Sequence, residues 1–469
     1  MPAWVIKHKQ KGIAIEKRGD SYYASRVTSI WNPEKKRAQK KTIEYLGKVT
    51  PAGIVPPKGK RPVEVGGILE SGNFIYLENF ARHLSGPLME CFPDDWESIL
   101  ASGVMRLCYG ELFGRMRLRF ETSYAKRLWP GASLSKNSLT DLLKRIGSQW
   151  NKQREFFSLM SQGERHMAID LSHIFSDSKN VPWIEFGHNG DNVWRPQVGI
   201  ILMWGTTTQS PGFLKLLPGA THSAQTVKNA IFESGLQDIV AIMDKGFWSH
   251  ENMVSLEESN IQYVMALSRG LPFVENAGHS RYKGYFRYGD GVQWWRSSEY
   301  EGRTIYHYLD KTIADHEESS YLRRVEDGRS TKSDYRRLKN GFGTLAILTD
   351  TGLSAEEVYT LYKERREVEY AFDTLQNTLG AETTWMRSRE SLQGYLFIMF
   401  IALHLHSQVL DHLKRKDLLK RYSVRDVLTY LSKVTVVEMD GKDRLGEVTK
   451  QTKKVIDLLE VPITERLGL

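Results

Sequence analysis

Cysteine is nearly absent from this chain: there are two in 469 residues, Cys91 and Cys108. That excludes a disulfide framework and a thiolate metal centre, points to a reducing compartment, and leaves both as small core residues. Long apolar runs are missing too. The longest, Leu396 to Leu403, falls far short of the roughly 20 residues that a membrane span needs. Met1 to Arg18 interleaves Lys with apolar residues, so no signal peptide is expected and the protein is expected in the cytoplasm. Acidic residues are in deficit, which leaves a net charge of +9 and favours a polyanionic partner. At 41% hydrophobic residues the chain is globular, and its length predicts two to four domains.

The chain is organised around Val358 to Gly380. The stretch has no Pro, no interior Gly and mostly good helix formers. Ser354 is placed as an N-cap, Glu356 and Glu357 lie in the first turn, and Gly380 is the stop. One helix is predicted here. Val358, Leu361, Val368, Phe372, Leu375 and Leu379 lay an apolar stripe along it. A second line, Tyr362, Arg365, Glu369, Phe372 and Gln376, runs beside the stripe, so Arg365 and Glu369 border the buried face. A carboxylate there needs a positive partner. Arg365, one turn away, is one candidate and a divalent metal ion is the other.

Two further acids end short apolar runs, Asp170 in HMAID and Asp244 in DIVAIMD, the pattern of buried strands that deliver an acid at their ends. Lys245-Gly246-Phe247 follows Asp244, where Gly permits a sharp turn. Two acids from strands and one from a helix make an all-oxygen set suited to Mg²⁺ or Mn²⁺.

At this point the chain resembles a DDE transposase of the insertion-sequence family 4 group. The family signature is Tyr, two residues, Arg, three residues, Glu, six residues, Lys. This chain has Tyr362, Arg365 and Glu369, but Gln376 replaces the Lys. Asp244-Lys245-Gly246-Phe247 matches the family's second-Asp motif, Asp170 the first acid after its apolar run, Leu217-Pro218-Gly219 the Pro-Gly turn, and Gly341 to Asp350 the strand before the signature helix. The resemblance covers roughly residues 160 to 405. It implies an RNase H-like α/β core, a mixed sheet flanked by helices with an inserted β-rich subdomain, and Asp170, Asp244 and Glu369 as catalytic residues holding two Mg²⁺ or Mn²⁺ ions. It also implies double-stranded DNA as partner (transposon ends and target), a homodimer in the synaptic complex, and a prokaryotic, nucleoid-associated setting. Tyr362, Arg365 and Gln376 become candidate DNA contacts. Gln can donate a hydrogen bond but brings no charge, so a neutral helix-surface role fits it as well.

Taken in order, residues 1–65 read as a basic β-rich module. Alternating runs split by Gly19-Asp20 signal a hairpin. Basic residues outnumber acids by about ten in this stretch, with Lys35, Lys36 and Arg37 clustered after Trp31. Either a DNA-binding module that tracks phosphates or a solvated hairpin loop fits. Val55 to Gly67 reads as a linker. Residues 66–163 read as a helical domain, with Trp96 to Phe120 and Ser138 to Phe157 at helical spacing. Its Arg115, Arg117, Arg119, Lys126 and Arg127 fit a DNA channel or a solvated face.

The core, 164–410, is expected as strands Arg165 to Leu171, Gln197 to Trp204 and Gly212 to Leu217, helix Ala224 to Glu233, strand Ile239 to Asp244, helix His250 to Glu258 and strand Tyr263 to Ser268. Ser172, His173 and Asp177 lie near the first acid, with Asp177 as an alternative ligand. Asn192, Arg195, Pro196 and Gln197 resemble a polar family motif, in which Arg195 is a candidate phosphate contact. The β-rich insertion, 270–340, carries Trp294 and Trp295, either of which stacks on a flipped base or fills a small core. Leu392 to His412 reads as an apolar helix whose His404 and His406, two residues apart, point different ways. Residues 411–469 read as a helical C-terminal segment.

The function expected is binding of terminal inverted repeats with metal-dependent strand cleavage and transfer, a cut-and-paste transposition. Two alternatives stay open: a metal-dependent nuclease without strand transfer, and a catalytically inactive transposase-derived DNA-binding protein.

Overall fold

The computed structural model describes residues 1–33, 35–57, 65–110, 113–188, 194–219, 224–236, 238–275 and 282–467. Most of the expected linker and Asn192 of the polar motif lie outside the described residues. The chain divides into two compact units: Met1–Gly67 with Val437–Arg444, and Ile68–Val436 with Leu445–Leu469.

The first unit is built on four antiparallel strands, β1 (Ile13–Arg18), β2 (Ser21–Asn32), β3 (Arg37–Thr50) and β4 (Gly53–Val55). The pairing of Arg18 with Ser21 leaves Gly19-Asp20 as the two-residue turn, and Gly19 takes the positive φ of +56° that such a turn demands. A small core of Val5, Tyr22, Ala24 and Val49 holds one end of the sheet. Toward the other end β2 and β3 run on as a largely exposed ribbon, and Lys35, Lys36 and Arg37 lie exposed at its tip.

The hairpin Thr435–Met439 and Lys442–Leu445, most of which belongs to this unit, corrects the expectation that residues 411–469 are helical. Its turn residues Asp440 and Gly441 both take positive φ, +51° and +71°. Asp-Gly between alternating residues is a strong hairpin signal.

In the second unit, helices α1 (Gly72–Cys91), α2 (Trp96–Tyr109), α3 (Lys136–Ser148) and α4 (Trp150–Met160) precede the sheet. The expected long helices Trp96 to Phe120 and Ser138 to Phe157 are thus interrupted. Gly110 ends α2 with a left-handed cap, and the chain breaks at Gln149 between α3 and α4.

Next come β5 (His166–Ser176), β6 (Trp194–Gly205), β7 (Ser210–Leu217), α5 (Ala224–Ser234), β8 (Val240–Met243), α6 (His250–Glu257) and β9 (Gln262–Leu267). Across the sheet these strands lie in the order β7, β6, β5, β8, β9. β5, β8 and β9 run parallel to one another, and β6 and β7 pair antiparallel. The interior strands read as near-continuous apolar runs because both faces are covered: all four residues of β8 are buried.

The segment expected as a β-rich insertion is half helical. It contains β10 (Gly284–Tyr288), β11 (Gly291–Tyr300) and β12 (Arg303–Asp310), then α7 (Lys311–Glu326) and α8 (Lys332–Leu338). Nor do its strands make a separate sheet. β12 pairs with β13 (Thr344–Thr349), which pairs with β9, so the insertion lengthens the central sheet. The helical signal was weak because α7 lies on the surface and buries only Tyr321.

After α9 (Ala355–Glu364) and α10 (Arg366–Asp373), α11 (Arg389–Arg415) runs 27 residues through the core. It is long and apolar enough to cross a membrane by length and composition, but 72% of its most apolar window is buried in the protein. α3 crosses it at contact distance because both carry glycine there. A Cβ on Gly394 would stand 2.0 Å from the Leu143 carbonyl oxygen, and one on Gly147 1.7 Å from that of Glu390. His404 is buried within α11 and stacks on His83 at 5.9 Å. Three short helices, α12 (Val424–Leu431), α13 (Lys450–Leu459) and α14 (Ile463–Leu467), follow among the described residues.

Candidate active site

Sheet register sets the first two acids side by side. Ile242 pairs with Ala168 across the parallel strands β8 and β5. Two steps onward on each strand bring Asp244 level with Asp170 on the same face, and neighbouring strands lie about 4.8 Å apart. The two acids differ in one respect from expectation. Asp244 follows the last residue of β8, but Asp170 lies inside β5, which continues to Ser176 because β6 pairs with it as far as Phe175. The end of β8, not of β5, opens the space beside Asp170.

Glu369 arrives on the signature stretch, which is three pieces and not the single helix expected. Ser354 and Glu357 form a reciprocal capping box at the start of α9. The helix then tightens at Arg365, whose N–H bonds Tyr362 O at 3.2 Å while its carbonyl accepts from Val368 at 3.1 Å, both three-residue spacings. α10 carries Glu369, and Thr374–Thr378 follows as a π turn before Gly380 reverses the chain with φ +69°. Val368, Ala371, Phe372, Leu375 and Leu379 are buried, so the apolar stripe anchors the element despite the breaks.

Arg365 is the hub. Its guanidinium donates to Asp170 Oδ2 at 3.4 Å and closely to Glu369 Oε1, and only 12% of its side chain is exposed. The ring of Tyr362 lies 5.8 Å beneath it, and the Tyr362 hydroxyl donates to Asp244 Oδ1 at 3.4 Å. The Leu171 N–H occupies Asp170 Oδ1 at 2.9 Å. Burial pushes the Asp170 carboxyl up to about 6; the Leu171 N–H and Arg365 oppose the rise, while the charges of Asp244 and Glu369 add to it. The Tyr362 hydroxyl is pushed to about 12, mainly by burial. Arg365 stays above its ordinary value: burial disfavours its charge, but Asp244, Tyr362, Glu369 and Asp170 outweigh that.

Among the described residues no three His, Cys, Asp or Glu side chains stand grouped as ligands for a metal ion. The positive charge among the three acids is Arg365. The donor chemistry, all oxygen and anionic, nonetheless suits a hard divalent cation, and the charges of Asp244 and Glu369 add to the need of Asp170 for a counter-charge.

Gln376 points inward. Its amide donates to Ser172 Oγ at 3.0 Å and to His173 O at 2.8 Å, which ties the π turn to β5 and engages both groups of Ser172 and His173 that flank the first acid. Arg195 lies 4.6 Å over the Phe175 ring and 3.7 Å from Asp177, which pairs with it at the far end of β5. Trp294 and Trp295 point to opposite sides of β11. Trp294 packs at a tilt against Tyr285 at 5.4 Å beneath the Lys311 ammonium, whereas Trp295 packs edge-on against Tyr306. In the helical region, Arg117 pairs with Glu121 and Arg119 covers the Tyr109 ring.

Arg106 carried no sequence signal yet matters here. Buried on α2, it donates to Leu379 O at 2.7 Å and Gly380 O at 2.9 Å, satisfying carbonyls at the end of the signature stretch. An Arg inside an amphipathic helix has no local pattern that marks it as the cap of an element 270 positions away.

Paired acids on a mixed sheet, met by the Arg at a helix break and the Glu of the helix after it, define an acidic site in an α/β protein. The transposase DDE domain family matches residues 162–405, more than half of the chain, and the chain belongs to that family. Membership makes it a transposase, of a nuclease and transesterase class that generally uses divalent metal ions. Among solved structures the chain is similar to a piggyBac transposase in a synaptic complex with hairpin DNA. That likeness has 13% identity, covers 72% of this chain and 70% of that one, and has a TM-score of 0.40, too distant to carry weight here. No curated protein matches the chain.

Proposed function

We propose that this transposase belongs to the insertion-sequence family 4 group, binds terminal inverted repeats, and cuts and transfers DNA strands at Asp170, Asp244 and Glu369. Support for an RNase H-like core comes from the strand order β7, β6, β5, β8, β9 and its mixture of parallel and antiparallel pairs. The observation that supports the site assignment is the bonding of Arg365 to Asp170 and Glu369, with Asp244 level with Asp170 beside the adjacent strand and bonded by Tyr362.

On this reading Asp170, Asp244 and Glu369 hold Mg²⁺ or Mn²⁺, two ions in all. When bound, the ions would stabilise negative charge at the phosphorus and make the attacking hydroxyl more acidic. The protein's own groups position the strand. Arg365 and Tyr362 take phosphate oxygens beside the acids, and Gln376 holds the helix against β5 without a charge of its own. Cleavage by water and joining by a 3′-OH use one arrangement because both are in-line displacements at phosphorus.

Lys35, Lys36 and Arg37, at the tip of an exposed ribbon, suit phosphate tracking. Arg195 is a further phosphate contact. Trp294, partly exposed, suits stacking on a base; Trp295, turned toward Tyr306, suits a packing role. The assembly is a homodimer on DNA, acting in the cytoplasm at the nucleoid.

Asp170→Asn, Asp244→Asn and Glu369→Gln test the assignment. Each should abolish Mg²⁺-dependent cleavage and joining of a plasmid that carries the element's ends, with gel-shift binding retained. Near-normal strand transfer by any of the three would sink it. Cleavage without joining by the wild type would favour the nuclease reading, and DNA binding with neither activity the inactive one.

A further inference from the structure

We infer that Arg365 is a stand-in cation: it holds the acids together in the metal-free protein and must turn away before they can hold a divalent ion. The inference rests on the metal-site reading above and adds a mechanism for loading the site.

Oxygen bookkeeping at Asp170 carries the argument. Oδ1 has one lone pair engaged by the Leu171 N–H at 2.9 Å, so Oδ2 is the oxygen without a backbone donor, and the Arg365 guanidinium sits on it at 3.4 Å. The same guanidinium closes on Glu369 Oε1. A metal ion and an arginine bonded to the same oxygens would be like charges in contact, tolerated poorly beside Asp170, whose side chain is 22% exposed, and better at the half-exposed Glu369. The two cations therefore compete for Asp170 Oδ2 and Glu369 Oε1.

The backbone lets Arg365 move. It sits where α9 ends and α10 begins, in a turn closed by three-residue hydrogen bonds, so it can change rotamer without disturbing a regular ladder on both sides. Tyr362 supplies a flat surface beneath the guanidinium. A phosphate oxygen entering the site would compete with the acids for the guanidinium and free their oxygens. DNA binding and metal binding then favour each other, each by the same factor. The free protein keeps its acids neutralised and weakly receptive to metal, which limits cutting before DNA is in place.

The test is calorimetric titration of Mn²⁺ into wild type, Arg365→Gln and Arg365→Lys, without DNA, with melting curves in chelator to verify folding. Removing the guanidinium should tighten Mn²⁺ binding by about tenfold or more in Arg365→Gln, within the usual range of coupling between sites. Arg365→Lys keeps the charge but not the fork that spans two carboxylates, so it should fall between the two. If Arg365→Gln does not fold in chelator, the order of Arg365→Lys and wild type decides. Saturable Mn²⁺ binding of equal affinity in wild type and the folded variants would overturn the stand-in role while leaving the metal site intact. Mn²⁺ binding that Asp170→Asn does not weaken, or none in any variant, would overturn the metal-site reading and this inference with it.

Discussion

Two neighbouring stretches, residues 355–380 and α11, are both helical and both packed on the same sheet unit, yet they are built differently. α11 runs 27 residues without a break and is buried on nearly every side. The stretch before it is capped, tightened at Arg365, resumed, loosened into a π turn and stopped within a similar length. α11 answers only to packing, so regular geometry and small residues at crossings suffice. The signature stretch aims Tyr362 at Asp244 beyond β8, Arg365 at Asp170 on β5 and at its own Glu369, and Gln376 at Ser172 and His173 on β5, and no single 3.6-residue period does that. Departure from regularity marks the functional helix.

The contrast predicts which helix fails to fold and which fails to aim. The largest loss is expected where α3 meets α11. Gly394→Leu drives a side chain into the Leu143 carbonyl, backbone that cannot move aside, so it should cost more than the ~1–3 kcal/mol of ordinary overpacking. Urea denaturation should show a protein barely folded, and a midpoint near wild type would mean the two helices do not touch there.

Arg106→Met comes next. It strips two carbonyls at the end of the signature stretch of a charged donor, at a cost of about 2–3 kcal/mol. It should lower strand cleavage more than equal destabilisation within α11 does, because Glu369 loses its support. Matching activities at matched stability would refute that.

A smaller, pH-dependent effect belongs to α11. Burial, with His83 adding to it, holds the His404 imidazole at about 3, below the usual 6.5. The unfolded chain takes up the proton first, so this contribution is complete above pH 6.5 and is lost as pH falls from there toward 3, by about 1.4 kcal/mol per pH unit. His404→Phe should flatten the stability profile between pH 6.5 and 5; an unchanged slope would show that His404 does not titrate with unfolding. The smallest effect is at the first cap. Ser354→Ala removes the hydroxyl of the capping box and should cost about 1 kcal/mol, read as a modest drop in melting temperature with cleavage retained.

Much of this was legible from local signals. Gly19-Asp20, Ser354, Gly380 and the apolar runs before Asp170 and Asp244 each act on their immediate neighbours, and the structure places a turn, a cap, a stop and two strands there. What was not legible depends on distant partners. β5 is long because β6 pairs beyond the first acid. The insertion's strands join the central sheet because β13 accepts them. The break at Arg365 answers to Asp170 on β5, 195 positions away in the chain. Asp440-Gly441 is a different case: the signal was local and strong, but it sat between two amphipathic helices whose period masked the alternation.

The division of the chain into units has a consequence for its synthesis. The first unit takes in Val437–Arg444 as well as residues 1–67, whereas the matched catalytic segment ends at residue 405. A ribosome therefore releases the chemistry-bearing segment before it supplies the hairpin that closes the opening module. A product terminated between these points would contain Asp170, Asp244 and Glu369 and an N-terminal unit left unfinished.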